Sequence, residues 1–156
     1  MNDTLRRPPN LGEVGLTNFA PYLMNRIMGR YNAGFREELA ELGLTTPKAR
    51  ALAVLSVVDA PLVGELAVYT VTEQSTLSRA LDQLQAETLI RRETDASDSR
   101  AVRVSITDTG RAVFADLWPH MHEAQERMFR GIPAAERQAF IATLQKMLVN
   151  IRKHEI

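Results

Sequence analysis

The chain has 156 residues, enough for one domain with a substantial core. Hydrophobic residues make up 45% and charged residues 24%, an ordinary globular composition that excludes a disordered chain. Lysine plus arginine balances aspartate plus glutamate at 19 each, which excludes a globally basic coat for nucleic acid, and the lack of cysteine excludes disulfides, thiolate metal sites and thiol nucleophiles.

Residues 1–16 read as a flexible arm, with Pro8, Pro9, Gly12 and Gly15 and few large apolar groups. An arm packed on a partner subunit is the alternative. A long helix is expected from 17 to about 42. Phe19, Leu23, Ile27, Tyr31 and Phe35 recur every fourth residue, with Ala20, Met24 and Met28 beside them, and Gly43 supplies a stop. Thr46 then Pro47 predict a second helix, with Thr46 as N-cap, Leu52, Leu55 and Val58 inside, and an end at Asp59-Ala60-Pro61. A short helix is expected over 63–69.

Thr72 is the expected N-cap of a helix running to about Glu87, with Leu77, Leu81 and Leu84 as its core face. Its outer face near the start is Gln74, Ser75, Ser78 and Arg79. The period then changes from helical to alternating. Segments 89–94 and 101–107 flank a polar six-residue loop, DASDSR, and read as a hairpin. Thr107 caps a further long helix that Pro119 should kink or split. The last helix spans about 134–153, with Phe140, Leu144, Leu148 and Ile151 in one stripe.

Helix–turn–helix followed by a two-stranded wing, carried between long amphipathic helices, defines the expected fold. It is mainly α with a small β-hairpin wing: a winged helix-turn-helix over 46–107 on a helical dimerisation platform over 17–45 and 108–156. Apolar stripes left on the terminal helices call for a second copy of the chain, hence a homodimer.

Over about 17–153 this order resembles the MarR (multiple antibiotic resistance regulator) family of bacterial transcription factors. The resemblance rests on Ser75-Thr76-Leu77-Ser78-Arg79 in the third helix of the module, Asp95-x-x-Asp98-x-Arg100 in the wing, and Thr107-x-x-Gly110 at entry to the next helix. It implies a DNA-binding regulator, expected to be a repressor, that binds a pseudo-palindromic operator in double-stranded DNA. It also implies modulation by a small aromatic or anionic effector held between the dimerisation helices and the winged helix. Two positions depart from the family pattern. Thr88 stands where glycine usually follows the recognition helix, and Ser99 replaces a basic neighbour of Arg100.

A helix of this length can present its first turns to base edges in the major groove. Gln74, Ser75, Thr76, Ser78 and Arg79 have the chemistry to read bases or hold phosphate. By resemblance, Arg100 reaches the minor groove, and Asp98 orients it or ties the wing down. Arg91, Arg92 and Arg103 are phosphate candidates, with surface ion pairing the alternative for the first two. Segment 73–103 holds five arginines against six acids, so its DNA face must segregate arginine from Asp82, Glu87 and Glu93. That balance also supports a second reading, a winged-helix module for protein–protein interaction without its own operator.

Tyr22, Arg26, Met28, Tyr31 and Trp118 are the candidate effector lining, against the simpler reading that they are core. The three histidines, His120, His122 and His154, lack metal-site spacing, so no metal and no cofactor is expected. No catalytic triad pattern or glycine-rich phosphate loop occurs, so an enzyme is not expected. No apolar run is long enough to span a bilayer, and MNDTLRRPPNLGEVG has no signal-like stretch, so a cytoplasmic location is expected.

Overall fold

A computed structural model describes residues 7–156. The element order is α1 (Leu11–Val14), a 3-10 turn (Leu16–Asn18), α2 (Ala20–Glu41), α3 (Thr46–Leu55), α4 (Val63–Thr70), α5 (Gln74–Ala86), β1 (Ile90–Thr94), β2 (Val102–Ile106), α6 (Asp108–Met128) and α7 (Ala134–Ile151).

The segment expected as a loose arm has local order. Asn10 and Glu13 close α1 with a reciprocal capping box, and Arg7 pairs with Glu13 at 2.8 Å. Residues 1–6 of that arm lie outside the described residues. The long helix starts at Ala20 rather than 17, because the 3-10 turn occupies Leu16–Asn18. It ends as expected at a left-handed Gly43. The Leu44 amide donates to the Leu39 carbonyl and the Gly43 amide to the Ala40 carbonyl, which satisfies the last free carbonyls.

Two expected caps shift by one residue. Thr45, not Thr46, is the N-cap of α3, which places Pro47 second in the helix. Glu73, not Thr72, precedes α5, because the Thr72 hydroxyl turns back to the Thr70 carbonyl at 3.1 Å. α3 ends at Leu55, earlier than Asp59-Ala60-Pro61 suggests. Pro119 does not split α6, which runs unbroken through it. Pro119 and Ala115, whose carbonyl it leaves unpaired, both lie on the exposed face, where water can satisfy that carbonyl.

One core joins α2, α3, α4, α5, the hairpin and α6. Leu39, Leu52, Leu66, Leu77, Leu81, Leu84, Ile90, Val104 and Leu117 are its fully buried large side chains. The predicted inner face of α5 is therefore the face that packs. β1 and β2 pair antiparallel, with Arg92 opposite Val104, and a bridge from Leu62 to Arg103 adds a short third edge. Leu62 lies just before α4, so this bridge fixes the wing against the helix-turn-helix.

α7 is different. None of its residues is buried. It is held to the end of α6 by the Arg137–Glu126 ion pair at 2.7 Å and by Phe140 set edge-on to Phe129. Hydrogen bonding from Arg137 lowers the pKa of Glu126 and keeps that pair charged. Along α2 the apolar row divides: Phe35 is buried, whereas Phe19, Leu23 and Ile27 face solvent. With Leu148, Val149 and Ile151 of α7, these form large apolar surface that the chain itself leaves uncovered.

Candidate nucleic-acid interface

The first two turns of α5 hold the polar residues singled out in the sequence. Gln74, Ser75, Ser78 and Arg79 are exposed and Thr76 is half-buried, while Leu77 and Ala80 anchor the opposite face. The Ser75 hydroxyl donates to Glu73 at 3.1 Å, and Arg79 Nε reaches the Ser75 carbonyl at 3.4 Å. Gln74 and Ser78 are exposed in the adjacent row of the helix.

The wing is built around Asp95. Its carboxylate accepts from the Ser97 hydroxyl, from the Ser97 and Asp98 amides at 2.9 and 3.1 Å, and from Arg103 Nε. These donors, the Ser97 hydroxyl first, hold the Asp95 carboxyl far below the ordinary carboxylate range. Arg103 also donates to the Ala60 carbonyl at 2.9 Å, so it locks the hairpin loop to the α3–α4 connection. Arg100 lies at the tip with its side chain 90% exposed. Asp98 Oδ1 accepts from the Arg100 amide at 3.0 Å and from its Nε at 3.3 Å, which sets the direction of the guanidinium.

Of the three acids that weighed most against DNA binding, Asp82 and Glu87 are engaged elsewhere, whereas Glu93 stays exposed on β1. Arg92 pairs with Asp82 at 2.8 Å and with the Gln85 side chain at 2.6 Å. Buried Lys48 of α3 takes both oxygens of Glu87 at 2.7 Å. Both pairs lie toward the C-terminal end of α5. Among the candidate phosphate-binding arginines, Arg92 and Arg103 are therefore committed internally. Arg91 is exposed on β1, opposite Ser105.

Sequence reasoning did not single out Asp95 as the organiser of the wing, although Asp-x-Ser at a loop start is the pattern of a side chain that caps its own turn. It also missed Lys48, because its partner lies 39 residues away.

Because the Asp95 carboxyl is depressed in the folded chain, its share of stability is complete above the ordinary value of 3.8 and is lost as pH falls below it. We expect Asp95→Asn to remove that part of the acid dependence between pH 4 and lower pH. Unfolding free energy measured against pH, wild type beside variant, checks this; identical slopes would refute the role.

The candidate effector residues lie on α2, except Trp118, which lies on α6. Arg26 donates to the Tyr22 hydroxyl at 2.9 Å, Tyr31 stacks on Phe35, Met28 is exposed, and half-exposed Trp118 tilts between Phe114 and His122. Burial raises the pKa of the Tyr31 phenol. A groove of about 620 Å³ lies elsewhere, between the end of α5, β1 and the start of α6, and includes Arg91 and Thr107. Among the described residues, no three histidine or acidic side chains cluster in a way that would hold a metal, and no helix is long and apolar enough to cross a membrane.

A helix-turn-helix with an exposed polar recognition helix and an arginine-tipped wing defines a winged-helix DNA-binding protein. The MarR family model matches residues 42–101. A MarR family transcriptional regulator from Silicibacter pomeroyi is 59% identical, covers 95% of this chain and 100% of its own, and superposes with a TM-score of 0.90. Bordetella bronchiseptica BpsR, whose DNA binding is regulated by 6-hydroxynicotinic acid, is 27% identical over 82% of this chain and 97% of its own, with a TM-score of 0.72. The HTH-type transcriptional repressor IacR of Pseudomonas putida is 22% identical over 143 residues, 92% of this chain and 86% of its own. The chain belongs to the MarR family of transcriptional regulators, DNA-binding proteins rather than enzymes.

Proposed function

We propose that the chain is a homodimeric repressor that reads a pseudo-palindromic operator, with α5 in the major groove and Arg100 in the adjacent minor groove. One observation carries this reading. The exposed start of α5 and the wing tip present Gln74, Ser78, Arg79 and Arg100, while Asp82, Glu87 and Asp95 are tied into ion pairs within the module. A segment with more acids than arginines thereby offers donors to DNA.

In this reading Gln74, Ser75 and Ser78 address base edges, Thr76 and Arg79 address bases or phosphate, and Arg91 meets phosphate. Asp98 aims Arg100, and Arg103 acts inside the wing through Asp95. Residues 46–107 form the DNA-binding module. The platform is 17–45 with 108–156, where the uncovered apolar faces of α2 and α7 meet those of a second copy. Repression is supported by the function of IacR. A small aromatic acid as effector is supported by BpsR and by exposed Arg26 beside Tyr22.

Arg100→Ala is expected to weaken operator binding by about 1–3 kcal/mol, the worth of one arginine contact. Arg100 is almost fully exposed, so thermal stability should not change. Fluorescence anisotropy on operator DNA, paired with sedimentation of the free protein, checks the wing and the dimer together. An Arg100→Ala protein that binds as tightly as wild type removes the wing's role. A monomer at micromolar concentration removes the platform's.

A further inference from the structure

Among the described residues, three that are not glycine take left-handed backbone: Ala60, Val71 and Thr88, with φ of 41°, 50° and 61°. All lie in the winged-helix module, and each carbonyl accepts from a side chain on another element. Arg103 reaches Ala60, Arg50 reaches Val71 and Thr107 reaches Thr88. Val71 stands out among them. Its branched Cβ makes this backbone region especially unfavourable, and glycine or asparagine would adopt it with less strain. Yet the residue is 83% exposed, so the fold gains little from its side chain. Val57 is equally exposed but sits in no left-handed turn.

The strain is held from several sides. The Val71 amide donates to the Val68 carbonyl at 3.1 Å and the Thr72 amide to the Ala67 carbonyl at 3.2 Å. Arg50 reaches the Thr70 and Val71 carbonyls at 3.4 and 3.5 Å, and its other nitrogen reaches Asn32 of α2 at 3.5 Å. A strained, exposed apolar residue kept in place by its surroundings is the pattern of a residue retained for contact with something outside the chain. Val71 lies in the turn of the helix-turn-helix, three positions before Gln74, at the end of α5 that presents the polar reading face.

We infer that Val71 is a specificity-determining residue whose isopropyl group packs on an apolar edge of the operator, a thymine methyl or a deoxyribose, beside the start of α5. The inference rests on the DNA-binding reading above and adds an apolar contact to its polar ones. Removing that contact should weaken binding while relaxing the turn, so affinity and stability move in opposite directions.

The test compares wild type with Val71→Gly and Val71→Asn on the inverted repeat that wild type retains from genomic fragments. Both variants are expected to melt no lower than wild type and to bind about tenfold more weakly, as loss of a partly buried side chain implies. A matched operator with deoxyuridine in place of thymine in one half-site separates the two sources. If the methyl is the partner, the variants lose their disadvantage on that half-site; if the deoxyribose is, the disadvantage persists, and either result upholds the contact. Variants that bind the retained repeat as tightly as wild type overturn this inference alone. Weakened binding with lowered melting in both variants also overturns it, because the residue then serves the fold. No repeat retained by wild type overturns the functional reading, and the inference with it.

Discussion

Gly110→Ala is expected to destabilise the chain by about 3 kcal/mol or more, a fall in Tm of roughly 10 °C for a protein of this size. A Cβ at Gly110 would lie 2.1 Å from the Leu89 carbonyl oxygen and 2.8 Å from Ile106 Cγ1. Neither neighbour can simply withdraw. The Leu89 carbonyl accepts from the Thr107 amide at 3.0 Å, and Ile106 is buried at the end of β2. Thr107 sits at the centre of this junction. Its hydroxyl donates to the Thr88 carbonyl at 2.7 Å and accepts from the Gly110 amide at 3.0 Å. The end of the recognition helix, the end of the wing and the start of the long helix α6 thus meet within a few residues. Any shift that makes room for a methyl group moves α5 relative to α6. Differential scanning calorimetry checks the expectation, and a Tm within about 2 °C of wild type would show that the junction yields.

Glu87→Ala should be nearly as damaging, and more so than removal of its partner. Lys48 Nζ makes two 2.7 Å contacts with Glu87, but the lysine side chain is 5% exposed and the glutamate 48%. Without Glu87 a buried ammonium loses its counter-charge, a loss of about 3–5 kcal/mol in full burial. The flexible lysine stem can reach toward the vacated, solvent-facing space, which brings the expectation to about 2–3 kcal/mol. Lys48→Met instead leaves a carboxylate that water can reach and an apolar chain of similar length, a loss of about 1 kcal/mol or less. Adding Lys48→Met to Glu87→Ala should therefore recover most of the stability. Urea unfolding of the two single variants and the double variant gives the coupling directly. Equal losses in the two single variants would contradict the asymmetry of burial on which the expectation rests.

Much of the architecture was legible because it is written in local periodicity. Leu77, Leu81 and Leu84 mark the inner face of α5 at helical spacing, and all three are buried. Alternation at Val102, Val104 and Ile106 marks β2, and Thr107 caps α6 through the Gly110 amide as its position suggests. Structure departs from local pattern where neighbouring residues compete for one role. Thr45 and Thr46 are both competent caps, and Thr72 was drawn into closing α4 rather than opening α5. At Thr88 the glycine that the resemblance leads one to expect is absent, yet the helix still closes through a left-handed residue. The Leu89 amide reaches the Leu84 carbonyl at 2.9 Å and the Thr88 amide the Gln85 carbonyl at 3.0 Å, with threonine bearing the left-handed backbone.

The candidate site was legible as chemistry but not as bookkeeping of charge. Residue types at 74–79 and at Arg100 identify a polar helix start and a basic wing tip. Which acids and arginines cancel depends on pairs such as Asp82 with Arg92 and Lys48 with Glu87, and these join separate elements. No periodicity records such partners. For the same reason Arg103 reads in sequence as a phosphate contact, whereas its guanidinium is held between Asp95 and the Ala60 carbonyl.

Selection of genomic fragments by the purified protein at moderate salt, followed by sequencing of what is retained, decides whether the chain reads a DNA sequence of its own. Enrichment of one inverted repeat is expected, with half-sites about one helical turn apart and affinity that falls steeply as salt rises. Retention of no sequence by a folded protein, even at low salt, would contradict it and favour a winged helix that binds protein rather than DNA.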